Sequence, residues 1–203
     1  MSLIKSSFKP FDTVVIASHN SGKISEFKTL LSRFNLKIKT SKDLNVKDVV
    51  ESGKTFKENS ILKVNSILNQ KIVIGDDSGL CVHGLNNMPG IFSARFAKKS
   101  GGWYEAMEKI YNDLLKKSDN LAAKFVCSLS IKFEENKIFS YHGEVNGKIT
   151  WPPRGKNGFG YDPFFIPFSY KKTFAEMNHS EKILIDHRSV ALKKLIKSHL
   201  NDS

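Results

Sequence analysis

Two adjacent aspartates follow a short run of β-branched residues, and this junction limits what the chain can fold into. Residues 72–74 read Ile-Val-Ile, a pattern typical of a buried strand. The run stops at Gly75, and the carboxylates of Asp76 and Asp77 come next. Carboxylates at the carboxyl end of a buried strand lie where α/β proteins bind their ligands. The junction therefore favours an α/β fold with its chemistry at a strand end.

The aspartate pair allows two interpretations. Two neighbouring anions repel each other unless a cation or a proton shares their site, which favours a divalent metal ion beside Asp76 and Asp77. Alternatively, Asp and Ser side chains bond to their own backbone in turns, so the pair and Ser78 can simply close the strand. This stretch alone leaves both interpretations open.

Composition narrows the class of protein. The 203 residues are enough for one large domain or two small lobes, and 40% hydrophobic with 26% charged residues is typical of an ordered soluble protein. No apolar run approaches the ~20 residues of a transmembrane helix, and the N-terminus lacks the features of a signal peptide. Cys81 and Cys127 fit no metal or redox spacing, so we expect both to be reduced. These observations predict a cytoplasmic protein without a membrane partner.

The chain carries an excess of basic residues. Its 32 Lys and Arg against 20 Asp and Glu give a formal net charge of +12, which attracts nucleic acid, acidic membranes or phosphorylated small molecules. The lysines are scattered through the chain and form no polybasic tail, as is usual for a solvated surface. The charge alone is therefore weak support for phosphate binding.

A polar loop, residues 18–23, joins an apolar run typical of a strand to a helical pattern over residues 24–34. Such a loop directs free backbone N–H groups and the positive end of the helix dipole at one point, where Lys23 adds a full charge. The loop does not match a Walker A motif, because Ala17 and Ile24 occupy positions that require Gly and Ser or Thr. We expect it to bind phosphate; a plain strand–turn–helix corner is the alternative.

Residues 151–163 contain three glycines and three prolines, which excludes a helix or a central strand. Phe159 or Tyr161 can stack on a base, and Asp162 can accept a hydrogen bond from a base N–H or a sugar hydroxyl. A rigid surface loop without a ligand is the alternative. The stretch is therefore a candidate nucleotide contact.

Two other segments predict a helix and a strand, each with an apolar face. Thr55 and Glu58 have the spacing of a capping box that begins a helix. The predicted buried face of that helix consists of Ile61, Leu62, Val64, Ile67 and Leu68. Residues 123–133 alternate as a strand, with Ser128, Ser130 and Lys132 on the face opposite the apolar one, and residues 134–137 form a hairpin turn.

A last helix is predicted from Asn178 to about His199. Lys182 lies in its first turn, and His187 and Arg188 lie on or beside its polar flank. A His–Arg pair on a helix is usually solvated, so the pair alone indicates little.

Four stretches, in this order along the chain, resemble the inosine/xanthosine triphosphate pyrophosphatase family, which removes deaminated purine nucleotides. The stretches are residues 18–23, residues 76–80 with 89–95, residues 158–163, and Glu181-Lys182 with His187-Arg188. The resemblance implies an α/β fold: an elongated mixed β-sheet with flanking helices and two lobes that form a central active-site cleft. It also implies a homodimer, with residues 1–203 as a single nucleoside triphosphate pyrophosphatase domain.

The activity implied by this resemblance is Mg²⁺-dependent hydrolysis of ITP, dITP and XTP to the monophosphate and pyrophosphate. Asp77 matches the catalytic, metal-associated carboxylate, and Glu51 is the candidate second metal ligand, with Asp76 as its alternative. The residues that match substrate contacts are Ser18, His19, Asn20, Ser21, Gly22, Lys23, Ser78, Phe159, Gly160, Tyr161, Asp162, Lys182, His187 and Arg188. The last two would contact the base.

The chain departs from the family pattern at two places. His19 stands where relatives usually have Gly, and Val50-Glu51 provides one acid where many relatives have two. A Maf-like pyrophosphatase for other nucleotides is the first alternative, although the His-Arg pair argues against it. A basic nucleic-acid-binding module is the second, and it would need no paired aspartates. We therefore expect no stable nucleic-acid partner.

Overall fold

The computed structural model describes residues 8–134 and 137–199. Residues 1–7, part of the N-terminal segment considered above, and residues 135–136 of the predicted hairpin turn lie outside this part. The strands are β1 (Thr13–Ile16), β2 (Lys37–Thr40), β3 (Ile72–Val82), β4 (Met88–Pro89), β5 (Ala122–Phe133), β6 (Ile138–Ile149) and β7 (Phe165–Pro167). The helices are α1 (Ser21–Leu31), α2 (Phe56–Ser66), α3 (Ser93–Ser100), α4 (Trp103–Leu115), α5 (His179–Ile185) and α6 (His187–His199).

The strands form one mixed sheet in the order β2-β1-β3-β5-β6-β7, with β4 paired to β3. β1 runs parallel to both β2 and β3, whereas β4 is antiparallel to β3 and β7 is antiparallel to β6. The predicted mixed α/β sheet with flanking helices is thereby confirmed. In the described part of the chain, no helix combines the length and the apolar character needed to cross a membrane.

The chain divides into two compact units. The first consists of Met1–Asp77, Ser128–Gly143 and Ser189–Ser203, and the second of Ser78–Cys127 and Glu144–Arg188. Strand β3 passes from the first unit to the second between Asp77 and Ser78. Asp76 and Asp77 therefore belong to the first unit and Ser78 to the second.

In the first unit, helix α2 packs closely on β3. A side chain at Gly75 would place its Cβ 3.0 Å from the Lys63 Cβ and 3.1 Å from a methyl carbon of Val64. The residues that α2 buries within its length are Asn59, Ser60, Lys63 and Val64. The expected apolar face was thus partly wrong: Val64 and Ile67 are buried, but Leu68 is 71% exposed. The buried face of α2 is largely polar.

The polar face of β5 explains this composition of α2. Ser128, Ser130 and Lys132 alternate as expected, yet all three are buried. The Ser60 hydroxyl lies 2.7 Å from that of Ser130 and 3.3 Å from that of Ser128. Lys132 Nζ donates to the carbonyl of Ile67, just beyond the end of α2, at 2.7 Å. Buried polar groups need such partners, so a polar helix face meets a polar strand face.

In the second unit, Ser93 connects β3 to a later loop. Its hydroxyl accepts from the backbone N–H of Leu80 at 3.0 Å and donates to the carbonyl of Gly90 at 2.7 Å. Its own carbonyl accepts from the Tyr161 hydroxyl at 3.2 Å. A side chain at Gly79 would collide with the Gly90 carbonyl and the Ser93 hydroxyl. Glycine is therefore required beside Ser78.

Candidate functional site

The sequence predicted that strand β3 ends at Gly75. In the structure the strand continues to Val82. Asp76 and Asp77 therefore lie inside a strand, which excludes the interpretation as a closing turn. The parallel pairing with β1 stops at Ile74, so both carboxylates lie beyond the carboxyl end of that neighbour. Because successive strand residues point to opposite faces, the two carboxylates face opposite sides of the sheet. They consequently have different partners.

Asp76 is paired with the loop that was predicted to bind phosphate. Its Oδ2 lies 2.9 Å from Lys23 Nζ, in the first turn of α1. Asn20 caps this helix by accepting from the Lys23 backbone N–H at 3.0 Å, and the Ser18 hydroxyl accepts from the Asn20 backbone N–H at 3.2 Å. α1 thus begins at Ser21, three residues before the predicted start. The cap fixes the first turn of α1, from which Lys23 reaches Asp76.

The other residues of the loop are His19, Ser21 and Gly22. His19 Nε2 lies 2.9 Å from the carbonyl oxygen of Val46, and its Nδ1 lies 3.4 Å from Asp48. Ser21 and Gly22 are the first residues of α1. Because the first backbone N–H groups of a helix have no intrahelical acceptor, they are suited to an anionic ligand.

Asp77 is held by helix α2. Its Oδ2 accepts from the side-chain amide of Asn59 at 2.9 Å, while the Asn59 Oδ1 accepts from the backbone N–H of Gly53 at 2.8 Å. Burial raises the pKa of the Asp77 carboxyl, although the charges of Lys63 and Lys23 oppose that rise. Asp77 is therefore a stronger base than an ordinary aspartate, with a fixed orientation.

The start of α2 matches the predicted capping box in part. The Thr55 hydroxyl accepts from the backbone N–H of Glu58 at 3.1 Å, as expected. The Glu58 carboxylate, however, accepts from the backbone N–H of Lys54 at 2.7 Å, one residue earlier than in a standard box. This arrangement also fixes the segment that leads from Glu51 into α2.

Lys63 is a site residue that the sequence reasoning missed. Its Nζ lies 2.6 Å from Glu51 Oε1 and donates to the backbone carbonyl of Asp76 at 2.8 Å. Burial lowers the pKa of Lys63, but the negative charges of Asp76, Glu51 and Asp77 outweigh that effect and raise it. The available signal was its position four residues after Asn59, on the same helix face.

We refer to these charged residues of the first unit as the carboxylate–lysine cluster. Its members are Lys23, Glu51, Lys63, Asp76 and Asp77. Among the residues that the structure describes, no group of three or more His, Cys, Asp or Glu side chains is arranged to hold a metal ion. Ammonium groups, at 2.6 and 2.9 Å, lie against two of the three carboxylates.

A second group of predicted residues meets in the second unit. Lys182 Nζ lies 2.6 Å from Asp162 Oδ2, and each side chain is only 3% exposed. The same carboxylate oxygen accepts from the backbone N–H of Phe159 at 2.9 Å. Above the Phe159 ring, Lys182 Nζ lies 4.8 Å and Arg188 Cζ 5.8 Å from the centroid. These distances are those of cation–π contacts.

The predicted last helix is two helices. Asp186 between α5 and α6 has an extended backbone, with φ −72° and ψ 164°, which ends α5 and places His187 and Arg188 in the first turn of α6. Neither residue is solvated, contrary to what is usual for such a pair: both are buried. Arg188 donates to the Ser78 hydroxyl at 3.0 Å, and His187 stacks on Phe125 with 4.7 Å between ring centroids. This pair is thus locked in place.

The glycine-rich loop divides its aromatic residues between two environments. Tyr161 is buried, its ring meets Trp103 edge to face, and burial raises the pKa of its hydroxyl. Phe159 is half-buried. Gly158 and Gly160 have φ values of 73° and 63°, in the left-handed region that favours glycine. Of the two rings proposed to stack on a base, only that of Phe159 retains an exposed part.

We refer to this second group as the aromatic–cation cluster. Its members are Ser78, Phe159, Asp162, Lys182 and Arg188. Gly160, Tyr161 and His187 adjoin it in the chain. Two of its five side chains are permanent hydrogen-bond donors of fixed position, so the cluster suits a ligand that presents acceptor oxygens and a flat ring.

Similarity to known proteins extends over most of the chain. A family model described as "Ham1 family" matches residues 14–198, which include every site residue named above. A dITP/XTP pyrophosphatase of Zymomonas mobilis is 39% identical over 191 residues, covering 92% of this chain and 91% of the relative. A dITP/XTP pyrophosphatase of Bacillus cereus is 43% identical over 188 residues, covering 90% and 92%.

Solved structures show the same fold. The structure of a HAM1 protein from Coxiella burnetii matches with a TM-score of 0.83 and 36% identity, covering 92% of this chain and 98% of that chain. A structure described as a nucleoside-triphosphatase and dITP/XTP pyrophosphatase from Mycobacterium abscessus matches with a TM-score of 0.71 and 31% identity. It covers 91% of this chain and 98% of that chain.

Proposed function

Because the chain belongs to the Ham1 family, we propose that it hydrolyses deaminated purine nucleoside triphosphates to the monophosphate and pyrophosphate. Its substrates are then ITP, dITP and XTP, and its role is to cleanse the nucleotide pool. The observation that carries this proposal is Asp77: a buried carboxylate of raised pKa, held by Asn59 and flanked by two lysines. Relatives named dITP/XTP pyrophosphatase match about nine-tenths of the chain.

In this proposal the carboxylate–lysine cluster binds the phosphates of the substrate. Phosphoanhydride hydrolysis requires charge neutralisation and an oriented water more than covalent chemistry. The loop of residues 18–23 presents backbone N–H groups and Lys23 to the departing pyrophosphate. Asp77 orients the attacking water and accepts its proton, for which a raised pKa is favourable. Lys63 offers a second ammonium to the phosphate oxygens.

The donor chemistry of this cluster fits Mg²⁺. Mg²⁺ binds proteins through one or two carboxylates and completes its shell with water and phosphate oxygens, so a cage of three protein ligands is not required. Asp77 and Glu51 would hold it, with Asp76 as the alternative. When bound, the ion would neutralise charge on the phosphate oxygens and polarise the phosphoryl group. The other roles in the reaction are assigned to the side chains and backbone N–H groups of the chain.

The aromatic–cation cluster takes the base. Arg188 and an N–H of His187 donate to the 6-oxo group of hypoxanthine or xanthine, whereas adenine presents a 6-amino donor there. A site built from donors rejects the wrong base because its polar groups are left without partners. The Phe159 ring stacks on the purine. Ser78, Lys182 and Asp162 set the positions of these groups, and Gly160 and Tyr161 shape the loop.

We further propose that residues 1–203 act as one catalytic domain, because each compact unit is assembled from discontinuous segments of the chain. The family resemblance supports a homodimer and a cytoplasmic location. Size-exclusion chromatography with light scattering tests the dimer, since a single species of 22.9 kDa would contradict it.

The proposed function is tested by measuring pyrophosphate release from ITP, dITP, XTP, GTP, ATP and TTP, with and without Mg²⁺. We expect release from the first three substrates, dependent on Mg²⁺, and little from ATP. Preference for TTP would instead support a Maf-like pyrophosphatase. Absence of release combined with steeply salt-dependent retention on DNA would support a nucleic-acid-binding module.

A further inference from the structure

The two lysines of the carboxylate–lysine cluster lie where a metal ion bound to its carboxylates would lie. Lys63 Nζ is 2.6 Å from Glu51 Oε1, and Lys23 Nζ is 2.9 Å from Asp76 Oδ2. Lys63 also donates to the Asp76 carbonyl, so a single ammonium bridges Glu51 and β3. Both lysine side chains are mostly buried. The acids are therefore already neutralised in part before any substrate binds.

We propose that Lys63 excludes free metal from Glu51 and Asp77, so that metal binds only together with a triphosphate to which Lys63 can move. Lys63 is then a gating residue for the metal, as well as a phosphate contact. This inference rests on the proposed function, because it takes the triphosphate as the ligand that receives the ammonium.

Charge explains why free metal is excluded. The cluster contains three carboxylates and two ammonium groups, a formal excess of one negative charge. A divalent ion alone would reverse this charge and repel both lysines. It would also force the Lys63 ammonium off Glu51 into a buried environment without a counter-charge, which is costly. A triphosphate removes both penalties, because its oxygens accept the ammonium groups as the metal reaches the carboxylates.

The geometry of Lys63 makes the exchange a short movement. The residue is fixed at its base, since its Cβ packs against Gly75 and its helix is anchored through Ser60 and Ser130. Its Nζ contacts Glu51 and the Asp76 carbonyl, beside Asp77. A change of side-chain rotamers therefore suffices to release Glu51, and the helix does not need to move.

The test uses Mn²⁺ alone as the probe, measured by the loss of the free-ion electron paramagnetic resonance signal. In the Lys63→Met protein we expect Mn²⁺ to bind at least about tenfold more tightly than in the wild type, because one repelling charge beside the acids is gone. The matched control is Lys57→Met, which removes the same charge from the exposed side of the same helix. We expect it to bind Mn²⁺ as the wild type does.

An equal affinity in the Lys63→Met and wild-type proteins would overturn the proposal, as would an equal gain in Lys57→Met, which would indicate only a net-charge effect. If circular dichroism shows that Lys63→Met does not fold, the proposal is tested on the wild-type protein alone. Adding the α,β-imido analogue of dITP, a triphosphate whose α,β bridge resists hydrolysis, should then tighten Mn²⁺ binding at least about tenfold beyond the complexation of Mn²⁺ in solution, and no tightening would overturn the gate.

The gate and the proposed function fail in different ways. Pyrophosphate release from dITP by the same wild-type preparation tests the function and does not depend on the affinity for free metal. Release without a Mn²⁺ difference between Lys63→Met and Lys57→Met refutes the gate alone. A Mn²⁺ difference without release from any deaminated purine triphosphate refutes the function.

Discussion

The two clusters both pair a buried lysine with an acid, but they differ in what holds the pair. In the carboxylate–lysine cluster, acids outnumber lysines, and Lys63 lies between several acceptors that compete for it. In the aromatic–cation cluster, the side chains of Lys182 and Asp162 are each only 3% exposed, and Lys182 Nζ lies over the Phe159 ring, 4.8 Å from its centroid. The first arrangement can exchange its partners for a ligand, whereas the second is a fixed part of the fold.

This difference matches the two tasks proposed for them. Phosphates and metal bind and dissociate on every turnover. Their site therefore benefits from lysines that can exchange a carboxylate partner for a phosphate oxygen. A site distinguishes one base from another when its hydrogen-bond donors cannot move to suit the wrong base. The base site therefore benefits from donors whose positions are fixed by packing. The substitutions below separate exchangeable from fixed charge, and they are ordered by expected effect.

The largest effect is expected from Asp77→Asn, which removes the proposed base from the exchangeable cluster. We expect kcat for dITP to fall by about 10²- to 10⁴-fold, the usual contribution of general base catalysis. Steady-state pyrophosphate release at saturating Mg²⁺ measures it. A variant that keeps most of the wild-type rate would refute the assignment.

The same variant has a predicted pH signature in stability. Because burial raises the pKa of Asp77 in the folded protein, the folded state favours the protonated carboxyl. Its contribution to stability is therefore full below about pH 4 and is lost as pH rises through the folded-state pKa. Neutral Asn lacks this loss, so Asp77→Asn should equal or exceed the wild type in Tm at pH 7. A clear drop in Tm would contradict the assigned shift.

The next effect is expected from Lys182→Met, which breaks the fixed pair. Removing one partner of a buried ion pair leaves the other charge in a poor environment, so we expect a loss of about 3–5 kcal/mol in the free energy of unfolding. Urea denaturation measures it. The control is Lys172→Met, whose contact with Glu181 is 3.8 Å long and exposed, and which should cost under about 1 kcal/mol. Similar losses in both variants would show that the buried pair is not special.

A smaller effect is expected from Arg188→Lys, which keeps the charge of the base site but removes the planar fork. We expect kcat/KM for dITP to fall about 10- to 100-fold while that for dATP changes little, since only the 6-oxo group is recognised by the fork. Parallel assays on both nucleotides provide the measurement. Equal losses on the two substrates would remove Arg188 from base discrimination.

The smallest effect is expected from Tyr161→Phe. The hydroxyl of Tyr161 donates to the Ser93 carbonyl inside the second unit, and losing this hydrogen bond should cost about 1 kcal/mol of stability. Because the ring stays in place, kcat/KM for dITP should remain within about twofold of the wild type. A large loss of activity at unchanged stability would instead make Tyr161 a direct substrate contact.

Local patterns along the chain predicted much of this molecule. The strand before residues 18–23, the existence of the helix after that loop, the helix that begins near Thr55 and the alternation of residues 123–133 all follow from short-range spacing. Every member of the two clusters except Lys63 was also named from the sequence, since carboxylates, lysines and glycine-rich loops carry chemical meaning by themselves. These features depend on neighbours a few residues apart, which periodicity and capping rules describe.

Tertiary structure decided the rest. Asp76 and Asp77 belong to a continuing strand because β5 and β4 extend the sheet beyond the end of β1, which no local signal shows. The partner of Ser78 is Arg188, 110 positions away, and Lys63 reaches Glu51 and Asp76 only once α2 lies on β3.

Asp76 and Asp77 show the division between what the sequence and what the tertiary structure determines. The chain by itself determined that two adjacent acids follow a buried run, and it left open whether they share a cation or close the strand as a turn. Only packing decided that they face opposite sides of the sheet, with Lys23 on one and Asn59 on the other. The physical reason is that a charge takes its partner from whatever the fold brings within about 3–4 Å, and that distance is unrelated to separation along the chain.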